Sequence, residues 1–134
     1  MSNAIEILTR FEIRPSHQRV AIMDYLLTHK THATADVIFD ALSKEMPVLS
    51  RTTVYNTLRL FAEKGAIKAL ILEQDALHFD ADLEPHAHFF CSRCKKIYDV
   101  VLPDEIWKLI EDNASYGTMT TQLNYSGICE KCNN

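Results

Sequence analysis

The sequence predicts an α/β (α+β) chain in two parts: an N-terminal winged helix-turn-helix, then a small α/β lobe built round a four-cysteine zinc site. Three observations carry this. Apolar residues recur at helical spacing through the first half of the chain and give way to strand-like alternation in the second. A helix with one polar, basic face is followed at once by two short β-prone runs, the order of a winged helix. All four cysteines fall in two Cys-x-x-Cys pairs. The first domain is placed at residues 1–82 and the second at residues 83–134.

In chain order, "ILTRFEI" (residues 7–13) reads as a short opening helix, and Pro15 and Ser16 punctuate after it. "HQRVAIMDYLLTHK" follows as a helix with Ile22, Met23, Leu26 and Leu27 on one stripe. "TADVIFDALSKEM" is the next, with Thr34 as N-cap and Val37, Ile38, Ala41 and Leu42 facing inward. "SRTTVYNTLRLFAEKG" is capped by Ser50 and stopped at Gly65, burying Val54, Leu58 and Phe61. "AIKALIL" and "ALHFD", separated by the polar "EQD", form a β-hairpin, and "ADLEP" is a linker. Beyond Pro85, "HAHFFC", "KKIYDVVL" and "TMTTQLNYSG" are strand-like, the last alternating Met119, Thr121, Leu123 and Tyr125 on one face. "PDEIWKLIEDN" is an amphipathic helix between the second and third, with Ile106, Trp107 and Ile110 inward.

At 134 residues, 47% hydrophobic and 24% charged, the chain has the composition of an ordinary globular protein. Its net charge of −4 argues against indiscriminate polyanion binding but leaves room for a locally basic face. No apolar run reaches the roughly eighteen residues of a membrane span, and the start lacks a signal-peptide core. We therefore expect a cytoplasmic protein, where cysteines bind metal or do redox chemistry more often than they form structural disulfides.

Opposite Val54, Leu58 and Phe61, the fourth helix presents Thr52, Tyr55, Asn56 and Arg59, groups that reach phosphates and base edges. Residues 51–68 hold four basic side chains, Arg51 among them, against one acid. Double-stranded DNA fits this face; a solvated helix surface has the same pattern, so the pattern alone leaves both open.

Cys91-x-x-Cys94 and Cys129-x-x-Cys132 use every cysteine in the protein. Each two-residue gap lets both sulfurs point at one ion, and four thiolates leave no open position, which is the signature of structural zinc. Neither pair opens a helix after a strand, as a redox motif of the thioredoxin type does. His86 and His88, two apart in a strand, leave from the same face. Asp99 shares a face with Ile97 and Val101, where a carboxylate needs a partner, and Asp80 ends the hairpin. These side chains suit a second, open cation site, although strand histidines also serve as surface or core residues. His17, His29 and His78 are expected at the surface.

Taken together, the motifs resemble the ferric uptake regulator family over nearly the whole chain. The most specific are "HATAD" (residues 32–36), "RTTVYNTL" (51–58), "HFD" (78–80), "HAHFFCSRC" (86–94) and "ICEKC" (128–132). The resemblance implies a homodimeric, metal-activated transcriptional repressor, not an enzyme, with a winged helix on a palindromic operator and a C-terminal lobe that dimerises. It implies structural zinc on Cys91, Cys94, Cys129 and Cys132. It also implies a regulatory ion, Fe(II), Mn(II) or zinc, held between the lobes by His32, Asp80, His86, His88 and Asp99.

Two aspartates with three histidines resemble the peroxide-sensing branch, in which bound Fe(II) reacts with hydrogen peroxide, a ligand histidine is oxidised and DNA is released. His32 and His86 match the positions oxidised there. Iron-sensing members commonly carry glutamates at the positions of Asp80 and Asp99, so an iron-responsive or other metal-responsive repressor is the alternative. Lys95 departs from the family, which usually has glycine there. A metallohydrolase using His-x-His and two aspartates is the competitor from another class, but it leaves the helix face at Tyr55 unexplained. A zinc-stapled interaction module leaves Asp99 unexplained.

Overall fold

The computed structural model describes residues 2–73, 76–84, 86–114 and 121–133. The chain divides into two compact units, Met1–Leu83 and Glu84–Asn134.

The first unit is four helices and a hairpin. Helix α1 (Ser2–Arg10) starts and stops earlier than the apolar pattern of residues 7–13 suggests. Its end is a Schellman motif: Ile13 N–H donates to the Leu8 carbonyl at 2.8 Å and Glu12 N–H to the Thr9 carbonyl at 3.1 Å. Glu12 takes the left-handed conformation, φ 60°, usually filled by glycine, and the buried Leu8 and Ile13 supply the motif's apolar side chains. Helix α2 (His17–Thr28) is capped by Ser16 and buries Val20, Ile22, Met23 and Leu26, with Leu27 half-buried against the same core.

Thr34 caps α3 (Ala35–Leu42) as expected, its side chain accepting from Val37 N–H at 3.3 Å. The inward stripe is not the expected one. Ile38 is buried with Ala35, Phe39 and Leu42 packed against the core, while Val37 and Ala41 are exposed. Both stripes share Ile38 and Leu42; rotation toward Phe39 hides a larger apolar surface than Val37 and Ala41 offer.

Ser50 caps α4 (Arg51–Glu63), accepting from Thr53 N–H at 3.0 Å, and Val54, Leu58 and Phe61 are completely buried. A second Schellman motif ends it, Ala66 N–H to Phe61 and Gly65 N–H to Ala62, with Gly65 at φ 82°. Strands β1 (Lys68–Glu73) and β2 (Ala76–Asp80) then pair antiparallel as the wing.

The second unit is a three-stranded sheet in the order β4-β3-β5, with β3 (Ala87–Cys91) central, β4 (Ile97–Val100) antiparallel to it and β5 (Asn124–Gly127) parallel. The expected long last strand is shorter: Thr121 and Leu123 precede it, Tyr125 within it is exposed, and Met119 lies outside the described residues.

Helix α5 (Asp104–Asp112) carries Asp104 and Glu105 in its first turn, favourable against the helix dipole. It buries none of its residues. Trp107 and Ile110 are half-covered, but Ile106, expected inward, is exposed, as is Leu109.

Candidate functional site

The four cysteines meet in the second unit because of one register. Strand β5 lays Gly127 opposite Cys91, so Cys129, two residues on, arrives over the first cysteine pair. Ser92 N–H donates to the Gly127 carbonyl at 2.8 Å, and the Arg93 guanidinium donates to the Cys132 carbonyl at 2.9 Å, tying one pair to the other. All four sulfurs lie within 4.8 Å of one another.

Cys94 and Cys129 Sγ are 3.8 Å apart, far longer than the roughly 2.05 Å of a disulfide. That spacing matches the edge of a tetrahedron with metal–sulfur bonds of about 2.3 Å, near 3.8 Å. Four thiols in this arrangement fit zinc.

The backbone prepares these sulfurs to be thiolates. N–H groups of Cys129 and Cys94, each at 3.4 Å, donate to Cys91 Sγ and pull its thiol down to about 5. The Cys129 thiol is also lowered, first by backbone N–H donation from Cys132, with the Tyr98 hydroxyl donating too. Tyr98 is in turn pushed up to about 12, because it donates to that sulfur and faces the other thiolates. Cys132 is pushed up to about 12 by holding its proton against the Cys129 sulfur; a metal entering here displaces that proton.

Lys95 closes the first turn, its N–H donating to the Cys91 carbonyl at 2.8 Å with φ at 66°. The turn thus keeps a left-handed residue without a glycine, at a cost of about 1–2 kcal/mol. Lys95→Gly is expected to stabilise the zinc-loaded protein by about 0.5–1 kcal/mol, the strain relieved less the chain entropy glycine adds. Urea unfolding checks this, and an unchanged or lower midpoint contradicts the strain.

Each unit also gathers nitrogen and oxygen donors. In the first, His32 Nε2 lies 3.4 Å from Asp80 Oδ2, both side chains nearly buried. Asp82 N–H holds the other oxygen, Oδ1, at 2.9 Å. His32 sits at φ 55° in the loop before α3.

In the second unit His86 and His88 Nε2 are each 3.5 Å from Asp99 Oδ1. Their rings meet edge to face at 4.6 Å. His86 Nδ1–H donates to the Glu84 carbonyl at 2.7 Å, which leaves the lone pair on Nε2 and fixes the ring. Asp99 reaches the histidines because it pairs with His88 across β3 and β4. It is half-exposed and Val101 is almost fully so; the expectation of an aspartate forced to find a partner on a buried face is therefore corrected. Register, not burial, delivers it.

Donors about 2.0–2.2 Å from an ion sit roughly 3.0–3.5 Å from one another, so both sets have the spacing of ligands that share one. Two donors or three fall short of a full shell.

His17 and His29 are exposed, His29 stacked on Tyr25. His78 is not the expected surface residue: it is half-buried, and its Nδ1–H donates to the His32 carbonyl at 2.7 Å. Its alternation with Asp80 on β2 was the available signal, since residues two apart on a strand share a face.

On α4, Thr52, Tyr55, Asn56 and Arg59 are exposed. Arg59 pairs with Glu63 at 3.4 Å, one turn on. Arg51 turns toward α3 instead, meeting Asp36 at 2.5 Å and lying over the Phe39 ring at 4.6 Å. Among the described residues no helix is long and apolar enough to cross a membrane.

Comparison with known proteins gives a consistent picture. Residues 11–126 match the model of the ferric uptake regulator family. The peroxide-responsive repressor PerR of Staphylococcus aureus (strain Mu50) is 34% identical over 134 residues, covering 98% of this chain and 90% of that protein. A solved structure described as PerR from Streptococcus pyogenes, in peroxide sensing and gene regulation, is 29% identical, with a TM-score of 0.54 over 97% of this chain and 90% of that one. The ferric uptake regulator of Helicobacter pylori, at 18% identity, shares the fold, with a TM-score of 0.78 over 99% of this chain and 91% of that one.

Proposed function

The chain belongs to the ferric uptake regulator family, and from that premise we propose that this metal-dependent, DNA-binding repressor responds to peroxide. The donor set carries the reading: three nearly buried imidazoles with two aspartates, Asp80 and Asp99, in a chain 34% identical to a peroxide-responsive repressor. In this reading His32 and Asp80 from the first unit, and His86, His88 and Asp99 from the second, hold one regulatory ion. Fe(II) held there would supply the redox chemistry that activates hydrogen peroxide, whereas Mn(II), or zinc, would support binding without that chemistry.

The chain's own residues do the rest. Cys91, Cys94, Cys129 and Cys132 hold structural zinc. Imidazole nitrogens fix the ion, and the carboxylates balance its charge. A ligand set drawn from both units ties the winged helix to the dimerising unit, so the ion biases the spacing of two α4 helices on a palindromic operator. Homodimerisation through the second unit gives the open α5 stripe a partner, and a repressor of this kind works in the cytoplasm. On α4, Tyr55, Asn56, Thr52 and Arg59 meet the DNA, with Arg51 bracing the helix against α3 as well as facing it.

Arg59→Ala is expected to weaken operator binding and to lower its salt slope by about 1, the contribution of one phosphate contact. Tyr55→Ala weakens binding too, while zinc content and dimerisation stay unchanged in both. Titration of Mn(II)-loaded protein on operator DNA at several salt concentrations measures this. Unchanged affinity in both variants places the DNA surface elsewhere.

A further inference from the structure

We infer that His78 is a positioning residue for the regulatory metal: it sets where the His32 imidazole stands without donating to the ion itself. The inference rests on the reading of His32 as a ligand.

His32 has a backbone that few residues with a side chain adopt, φ 55°. Something must hold it there. Strand β2 does so with consecutive residues. His78 Nδ1–H donates to the His32 carbonyl at 2.7 Å, and Phe79 N–H donates to the next carbonyl, that of Ala33, at 2.9 Å. A carbonyl only accepts, so His78 carries its proton on Nδ1.

His78 and Asp80 leave β2 on the same face, and both close on one residue. Asp80 meets the His32 ring at 3.4 Å and His78 fixes its backbone at 2.7 Å. One strand thus places both the ligand pair and the peptide from which the imidazole projects. Thr34, two residues further on, caps α3, so the clamp lies between the ligand and the first helix of the helix-turn-helix. Outer partners of this kind typically tune metal affinity by roughly 10–100-fold.

His78→Phe keeps an aromatic ring and removes the donor; His78→Asn restores an amide N–H near the Nδ1 position; His78→Gln puts its amide one bond too far. Mn(II) affinity by calorimetry is expected to fall about 10-fold or more in His78→Phe and His78→Gln and to stay within about 3-fold of wild type in His78→Asn. Zinc content and operator affinity at saturating Mn(II) should not move.

Wild-type Mn(II) affinity in His78→Phe overturns the inference. Equal loss in His78→Asn and His78→Gln overturns it too, and that comparison decides the matter if the Phe variant does not fold. His32→Ala separates the two readings. If it binds Mn(II) as wild type does, the regulatory site is misplaced and the His78 inference falls with it. If it loses Mn(II) while His78→Phe does not, only the His78 inference falls.

Discussion

A Cys129→Ser chain is expected to be recovered without zinc and with its second unit unfolded. Cys129 is the hub of that centre: its N–H donates to Cys91 Sγ, its sulfur stands 3.8 Å from Cys94, and the Tyr98 hydroxyl donates to it. The unit has little else to stand on. Its buried apolar residues, among those described, are Ala87, Phe90, Cys91 and Cys129, and α5 adds no fully buried residue to them. Two of those four are zinc-site cysteines.

Structural zinc contributes about 10–16 kcal/mol in small zinc-dependent domains, more than a core of this size offers. Metal analysis with circular dichroism of the variant reads the outcome, and Cys94→Ser is expected to behave alike. A zinc-free, fully reduced wild-type chain that remains a folded dimer would show that the four sulfurs are not the staple.

Exposure of the Fe(II) form to dilute hydrogen peroxide is expected to add one oxygen atom to His32 or His86 and to release operator DNA. In balance, hydrogen peroxide takes two electrons from the imidazole: one of its oxygens enters a ring C–H bond and the other leaves as water. Both rings are nearly buried and each lies beside a carboxylate, His32 by Asp80 and His86 by Asp99, so an oxidant generated at the ion meets imidazole before it diffuses. Damage to a ligand should weaken metal binding by at least the roughly 10–100-fold that loss of an outer partner costs.

The Mn(II) form should keep both its mass and its DNA. Asp99→Glu, one methylene longer, shifts the carboxylate that both His86 and His88 face at 3.5 Å; it should blunt oxidation while preserving metal-dependent binding. Peptide mapping by mass spectrometry locates the oxygen. Fe(II)-loaded protein that stays unmodified and on its operator through peroxide treatment points instead to an iron-responsive repressor.

What the sequence determined by itself was local. Two-residue cysteine gaps, the caps at Thr34 and Ser50, the stop at Gly65 and the polar face of α4 all follow from spacing and backbone chemistry within a few residues. His-x-His predicted two imidazoles on one side of a strand; the two rings do meet edge to face, although β3 begins only at Ala87, after His86. The same physics failed where the residue gave no sign: α1 ends in the motif that ends α4, but with Glu12 where α4 has Gly65.

Tertiary structure decided the rest. Parallel pairing put Gly127 opposite Cys91, antiparallel pairing put Asp99 opposite His88, and β2 turned His78 onto the His32 carbonyl. Rotation of α3 chose Phe39 over Val37, and α5 left Ile106 exposed while half-covering Trp107 and Ile110. Apart from the face that His78 shares with Asp80, each depends on a register or a rotation fixed by burial summed over residues far apart in the chain, for which no short stretch of sequence carries a signal.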